Sequence, residues 1–532
     1  MDFDIIIRGG LLVDGTGSQG HQCDLGIKAD RIVAMGPHLE GHAQEVIDAD
    51  GMVVAPGFID THSHSEVMLL AEPQHERGLR QGITTEILGQ DGLSYAPLSN
   101  NNLQLYRAYL AGLNGNPDIN WDWSSVAEYR SRFDGTVAIN TIYLIPHGTL
   151  RLEVLGMRDR PLVGEPLERA KALLRQGFEE GAAAFSTGLS YYPGAWSNTE
   201  ELIELGRVAA EYGRPYVTHL RTVFREPQAD YHRAGVEEAL EIGRQTGVPV
   251  HFSHFRTSPA TAGCVGHLLG PIREAMAGGL DITLETYPYS FGSGYAVMYL
   301  PPWAQEGGVE YTLQRLSDPV TRQRIRGEIA GSPFPPSPEE TCTHVASRDY
   351  QWAVGHTFRE IGERLGTHWL DALLLLMLHS RLRVGMKGPP TPDPEVEEQI
   401  TRDLLQLISL PYYMVGSDSI PTGESPHPRA YGCFPRFLRL AREYGYPELE
   451  TLIHRMTELP ARRFGLRDRG VLALGKAADV VVFDPMETRD CAAFGEPKRL
   501  ALGVRDVLVN GQLAIKDFQL TGCLAGRALS PA

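Results

Sequence analysis

The sequence predicts an α/β protein, a (β/α)8 TIM barrel carrying a small β-sandwich assembled from both chain ends. Three observations predict it. Short apolar runs alternate with helical stretches through the middle of the chain, β-rich runs punctuated by Gly and Asp occupy both ends, and several of the central runs terminate on His or Asp. Strand–helix alternation over a few hundred residues is the pattern of a parallel sheet. In a parallel barrel the C-terminal strand ends are where active sites are built.

The N-terminal segment, residues 1–57, carries Ile5-Ile6-Ile7-Arg8, Leu11-Leu12-Val13 and Arg31-Ile32-Val33-Ala34, separated by Gly9-Gly10 and Asp14-Gly15. Such runs read as strands and turns. Residues 466–532 repeat the pattern in Val480-Val481-Val482-Phe483 and Val504–Val509. Neither end is long enough for a β domain alone, so the two are expected to form one sandwich, with the rest of the chain inserted. Residues 58–465 then form the barrel domain. Its buried strands are read at Ala138–Ile145, Pro215–Thr218, Val248–Phe252, Ile282–Leu284 and Met414–Gly416. Its helices are read at Glu165–Gly181, with Pro166 in the first turn where proline is tolerated, and at Asn198–Tyr212 and Gly235–Thr246. From about 287 to 355 the rhythm breaks into Pro- and Gly-rich chain with one helical run, which is expected to be a cap insertion.

Composition narrows the function. The chain has 532 residues, 42% hydrophobic and 22% charged, and a formal net charge of −17. That balance repels nucleic-acid phosphates and anionic membrane surfaces. It leaves room for a small anionic substrate, because a local Arg cluster overrides the global field. Cys23, Cys264, Cys342, Cys433, Cys491 and Cys523 form no CxxC pair, as in a reduced, cytoplasmic protein. The start of the chain, Met1-Asp2-Phe3-Asp4, is acidic where a secretory signal is basic, so none is expected. No run approaches the ~20 apolar residues of a membrane span. The expected partner is a small molecule, with no nucleic acid and no membrane.

The chemistry concentrates at strand ends. In Asp60-Thr61-His62-Ser63-His64 the two histidines stand at i and i+2, a spacing that aims two imidazoles to one side of an extended chain and suits zinc. His219 ends Pro215–His219, His254 ends Val250–His254, and Asp418 ends Tyr413–Asp418. Four imidazoles and a carboxylate on different strands can meet around one or two divalent ions. His147 and His251 are nearby candidates for supporting roles; a satisfied core histidine is the plainer reading of His251.

With these segments the sequence resembles the metal-dependent amidohydrolase superfamily, and within it the D-aminoacylase (N-acyl-D-amino-acid deacylase) family. The resemblance runs over nearly the whole chain and is carried by Pro56–Asp60, His147-Gly148-Thr149-Leu150-Arg151, Phe185-Ser186-Thr187-Gly188-Leu189, Tyr287-Pro288-Tyr289, His427–Gly432 and Ala478–Asp484. It implies zinc, as one ion or two, held by His62, His64, His219 and His254, with Asp418 as catalytic acid/base. One position departs from the family. Its usual bridging ligand is a Cys in a Gly-Asn-Cys-Gly turn, where this chain has Gly89-Gln90-Asp91-Gly92. Asp91 is therefore the bridging candidate, with Glu86 as the fallback carboxylate. A carboxylate is a harder ligand than a thiolate, so manganese or cobalt becomes acceptable beside zinc. Other amidohydrolases bridge their metals with a carboxylated lysine, but Ile139–Ile145, ahead of His147, contains no lysine.

The resemblance further implies hydrolysis of the amide bond of N-acyl-D-amino acids to a carboxylate and a D-amino acid. Divalent ions lower the pKa of a bound water and polarise the carbonyl, and Asp418 serves first as general base and then as general acid. Arg256 stands where the family has a Lys that helps hold the substrate α-carboxylate, Tyr287 and Arg429 complete that clamp, and Tyr191 lines the acyl side. The competing readings are an amidohydrolase of the same fold acting on a cyclic amide or dipeptide, and a non-enzymatic barrel relative. The second predicts ligand losses, whereas all five strand-end residues are present.

Overall fold

In the computed structural model, residues 2–221, 233–331, 338–345 and 348–532 are described. Eight parallel strands form one sheet: β1 (Phe58–Asp60), β2 (Ile83–Leu88), β3 (Asn140–Pro146), β4 (Ala184–Gly188), β5 (Tyr216–His219), β6 (Val250–Phe252), β7 (Ile282–Thr286) and β8 (Tyr413–Val415). They pair in sequence order from β1 to β8. The ring closes where Thr61 N–H donates to Val415 O at 3.3 Å and Ser63 bridges Ser419 in parallel. The apolar runs are short because each strand crosses the barrel wall once. Ile59, Ile87, Ile142, Leu144, Val217 and Met414 pack together in one cluster. The helical stretches lie where the pattern put them, at Glu165–Glu179, Thr199–Glu211 and Arg233–Thr246.

The chain ends share a nine-stranded sheet. Val53–Pro56 from the N-terminal side pairs antiparallel with Val480–Phe483 from the C-terminal side, with Val54 opposite Val482. Ile5, Ile7, Leu25, Ile27, Val54, Val480, Val482 and Leu508 bury their side chains in a core separate from the barrel's. A polar bolt ties this sheet to the barrel. Asp479 accepts from Asn140 Nδ2 at 3.1 Å and from Asn510 N–H at 2.6 Å, and it pairs closely with Arg469. Asn510 Nδ2 donates to Asn140 Oδ1 at 2.7 Å. The last residues leave the sheet and run along the barrel, where Thr141 N–H donates to Arg527 O at 2.9 Å and Leu529 N–H to Thr141 O at 2.8 Å. Gly526 permits that approach, since a Cβ there would lie 2.0 Å from Ile139 O.

Between β7 and β8 the chain makes a long excursion. It contains a three-stranded sheet in which Gly385–Lys387 lies between Ser293–Tyr295 and Cys342–Val345. The excursion therefore runs past residue 355, the expected end of the cap. Its third strand is too short to show in the sequence, and the helix Trp369–His379 that leads to it is apolar enough to read as a barrel helix. Residues 332–337 and 346–347 of the expected cap lie outside the described residues. Among the described residues no helix is long and apolar enough to cross a membrane.

Removing one partner of a buried ion pair strands the other charge and costs about 3–5 kcal/mol. Arg469 and Asp479 are both almost fully buried. Asp479→Ala is therefore expected to lower the calorimetric melting temperature and the denaturant midpoint. Unchanged values would mean that the bolt carries no net stability.

Candidate metal centre and substrate wall

Each donor sits within four residues of a strand end, at the C-terminal rim of the barrel. His62 and His64 follow β1 in extended chain, fully buried, with their Nε2 atoms 3.3 Å apart. Asp91 follows β2 in a one-turn 3-10 segment, Gln90–Gly92, and adopts the left-handed conformation at φ 56°. His254 (φ 37°) and Asp418 (φ 50°) are left-handed too. That region costs a non-glycine residue roughly 1–2 kcal/mol, and its recurrence at three facing side chains marks where the chain turns against its preference to aim them. Gly188, at the end of β4, leaves room for the Asp91 turn, because a Cβ there would lie 2.0 Å from Asp91 O. Asp418 is pinned by its own N–H, which donates to His62 O at 2.8 Å.

Asp91 is the hub. Its carboxylate oxygens lie 3.6 Å from His62 Nε2, 3.5 Å from His64 Nε2, 3.5 Å from His219 Nδ1 and 3.9 Å from His254 Nε2. His219 Nδ1 and His254 Nε2 face each other at 2.8 Å. The donors fall into two groups that could each hold an ion, His62–His64–Asp91 and Asp91–His219–His254, and Asp91 alone belongs to both. The chemistry of the set fits divalent cations. Tetrahedral zinc with Zn–N near 2.0–2.1 Å separates its nitrogens by about 3.3 Å, the spacing found between His62 and His64. Asp91 Oδ1 is buried without a hydrogen-bond partner, which is costly unless something cationic meets it.

Electrostatics agree. Burial alone would raise the Asp91 carboxyl, but His62 and His219 outweigh it and hold it well below the usual carboxylate range. Burial would favour neutral rings at His62 and His64. Glu285, Asp91 and Asp418 nevertheless push His62 well above the imidazole range, while Asp418 and Asp91 push His64 up to about 9. Without an ion, protons are drawn into the space where positive charge is wanted, as at metal sites where ligand protonation competes with binding.

Asp418 reaches the same point from β8, with Oδ1 3.7 Å from His62 Nε2 and 3.5 Å from His64 Nε2. Its other oxygen is ion-paired with Arg429 Nη2 at 2.8 Å. Burial would raise this carboxyl too, but Arg429 and His62 hold it below its ordinary value. Arg429 is fully buried, and apart from the charge pairing with Asp418 none of its three guanidinium nitrogens has a hydrogen-bond partner, so its fork is open to an acceptor. Its guanidinium lies 4.5 Å from the ring of Tyr287, and that of Arg256 lies 4.7 Å from the same ring. The two cations differ in freedom. Arg256 donates to Tyr287 Oη at 3.1 Å and to the carbonyls of Thr257, Ser290 and Phe291 at 3.2–3.3 Å. Tyr191 packs on His219 with ring centroids 4.7 Å apart.

The remaining sequence candidates lie behind this wall. Glu86 is 2.8 Å from His75 Nε2 and accepts from Ser63 Oγ at 3.0 Å, so its charge is spent outside both donor groups. His147 is 2.7 Å from Glu201, which also pairs with Arg151. His251 has partners on both ring nitrogens, Thr283 at 2.8 Å and Glu285 at 3.2 Å. Glu285 itself was missed. It makes a very short contact with His62 Nδ1. It follows the apolar run Ile282–Leu284, so the strand-end rule that selected the histidines could have found it.

Comparison with known proteins agrees with this geometry. The model of the amidohydrolase family matches residues 45–515. The chain is 32% identical to the D-aminoacylase of Alcaligenes xylosoxydans xylosoxydans, over 99% of this chain and 98% of that one. It is 34% identical to the N-acyl-D-glutamate deacylase of the same organism, over 96% and 93%. The crystal structure of the N-acyl-D-glutamate deacylase of Bordetella bronchiseptica, complexed with zinc and a phosphonate inhibitor that mimics the tetrahedral intermediate, superposes with a TM-score of 0.82 at 30% identity and covers all of both chains. The chain belongs to the amidohydrolase family, in its D-aminoacylase and N-acyl-D-amino-acid deacylase branch.

Proposed function

We propose that this protein is a metal-dependent hydrolase that cleaves the amide bond of N-acyl-D-amino acids to a carboxylate and a D-amino acid. The observation that carries the reading is the convergence of His62, His64, His219 and His254 on Asp91, with Asp418 beside His62 and His64, in a chain similar to deacylases along its whole length. Zinc is the preferred ion. His62, His64 and Asp91 would hold one, and Asp91, His219 and His254 a second. Bound there, a divalent cation supplies Lewis acidity toward the amide carbonyl and acidifies water.

The residues divide the rest of the work. Asp418 accepts the proton of the attacking water at its carboxylate and returns it to the amide nitrogen as the C–N bond breaks. Arg429 offers its unpartnered Nε and Nη1 to the substrate α-carboxylate. Because its Nη2 also holds Asp418, the carboxylate grip and the acid/base are built on one guanidinium. Arg256 holds Tyr287 in the clamp, and Tyr191 walls the acyl side. Residues 58–465 carry the reaction, with 1–57 and 466–532 as the accessory sandwich. The scattered free thiols suit a cytoplasmic enzyme, and the net charge of −17 does not suit nucleic acid.

Chelation is expected to abolish hydrolysis of N-acetyl-D-amino acids, and zinc, manganese or cobalt to restore it. Full activity in protein shown metal-free by elemental analysis would sink the proposal, as would a panel in which only L-amino-acid or cyclic amides are cleaved. Asp418→Asn is expected to lower kcat by about 10²–10⁴-fold while keeping the fold; a variant with wild-type kcat makes Asp418 a structural cap. Asp91→Ala removes the one anion common to both donor groups, so metal stoichiometry and turnover should fall together. Asp91→Cys should keep zinc but disfavour manganese, since a thiolate is the softer ligand. Retention of all metal and activity in Asp91→Ala would reduce Asp91 to a turn residue.

A further inference from the structure

Behind the donor cluster lies a buried carboxylate that neither donor group uses. Glu285, on β7, is 1% exposed. It receives three groups from two other strands, two from the end of β1 and one from β6. One is His62 Nδ1, in very short contact; the second is the hydroxyl of Thr61 at 2.5 Å; the third is His251 Nε2 at 3.2 Å. His251 is itself fixed from behind, its Nδ1 lying 2.8 Å from Thr283 Oγ1. The space for this arrangement depends on Gly416, where a Cβ would lie 2.6 Å from Glu285 Oε2 and 2.9 Å from His62 Cβ.

The hydrogen-bond logic fixes a ring. An ionised carboxylate only accepts, so the proton facing it sits on His62 Nδ1. In the neutral, ligating form of the ring the Nε2 lone pair then points at the opposite side, where His64 Nε2 lies at 3.3 Å and Asp91 at 3.6 Å. Among the described residues, Glu285 is the carboxylate that reaches the outer nitrogen of a donor imidazole; the structure records none on the outer nitrogens of His64, His219 or His254. A carboxylate behind a ligating histidine fixes its tautomer and raises its basicity.

We propose that Glu285 is a positioning residue for the metal centre, holding His62 in the Nδ1–H form and setting the affinity of the His62–His64–Asp91 group apart from that of Asp91–His219–His254. The proposal rests on the metal-dependent reading above. Its test is chelator-competition titration of zinc on full-length wild type and Glu285→Gln. Gln keeps an acceptor for Nδ1–H and removes the charge. Zinc affinity at the His62 group is expected to fall about 10–100-fold, while the second group keeps its wild-type affinity. Repeating the titration in a His254→Ala background, which leaves the His62 group as the intact one, assigns the weakened ion. Wild-type affinity at both groups in Glu285→Gln would overturn the proposal while leaving the deacylase reading standing. A wild-type protein that binds no divalent ion overturns both.

A second measurement needs no variant. In zinc-loaded protein labelled with ¹⁵N-histidine, His62 should carry its proton on Nδ1 with Nε2 metallated, and the reverse tautomer overturns the assignment. Gly416→Ala supplies an independent check, since a Cβ pressed against Glu285 should weaken the same ion and spare the other; equal loss of both ions counts against the proposal.

Discussion

One buried carboxylate facing four imidazoles organises the active end of this barrel. Asp91 lies within 3.5–3.9 Å of ring nitrogens from His62, His64, His219 and His254. Neutral imidazoles alone cannot offset the charge of two divalent ions, so this anion decides whether two can be held side by side. Its position depends on the chain turning left-handed at residue 91 and on the missing side chain of Gly188. A carboxylate at this place offers a harder donor than a thiolate would.

A second buried charge, Arg429, lies beside Asp418 at the same rim. Burying a guanidinium is expensive unless it is paired and hydrogen-bonded. Asp418 pairs with its charge, Tyr287 supplies a ring face, and the fork's hydrogen-bonding capacity stays open. A site with unspent donors on a fixed cation is prepared for an anion. Arg256, by contrast, spends its fork on backbone carbonyls. It shapes Tyr287 rather than presenting free charge, which is the use to which a planar five-donor group lends itself.

These strand ends can be held in costly backbone conformations because the frame behind them is stiff. The barrel strands share an Ile-, Leu- and Val-rich interior, and the terminal sheet is bolted to β3 through Asn140, Asp479 and Asn510. The final residues run beside Thr141 and brace the barrel at the start of the same strand. The cost of left-handed backbone at Asp91, His254 and Asp418 is thus spread over a large packed structure.

The sequence by itself determined the alternation of strands and helices, the return of the β pattern at the far end of the chain, and the strand-end positions of His62, His64, His219, His254 and Asp418. These are local properties: hydrophobic period, turn residues, and a polar group at the end of an apolar run. Asp91 was legible only through its place in a Gly-x-x-Gly turn matched to the family. Tertiary structure alone decided that Asp91 faces all four histidines, that Glu86 is spent on His75, that Arg256 is tied to carbonyls while Arg429 pairs with Asp418 and keeps open donors, and that Glu285 backs His62. Residues 62, 91, 285 and 418 lie far apart along the chain, and which of them meet depends on strand order, on barrel closure between β1 and β8, and on three left-handed turns. None of these leaves a mark in the local pattern of residues, because each is set by contacts between segments rather than within them.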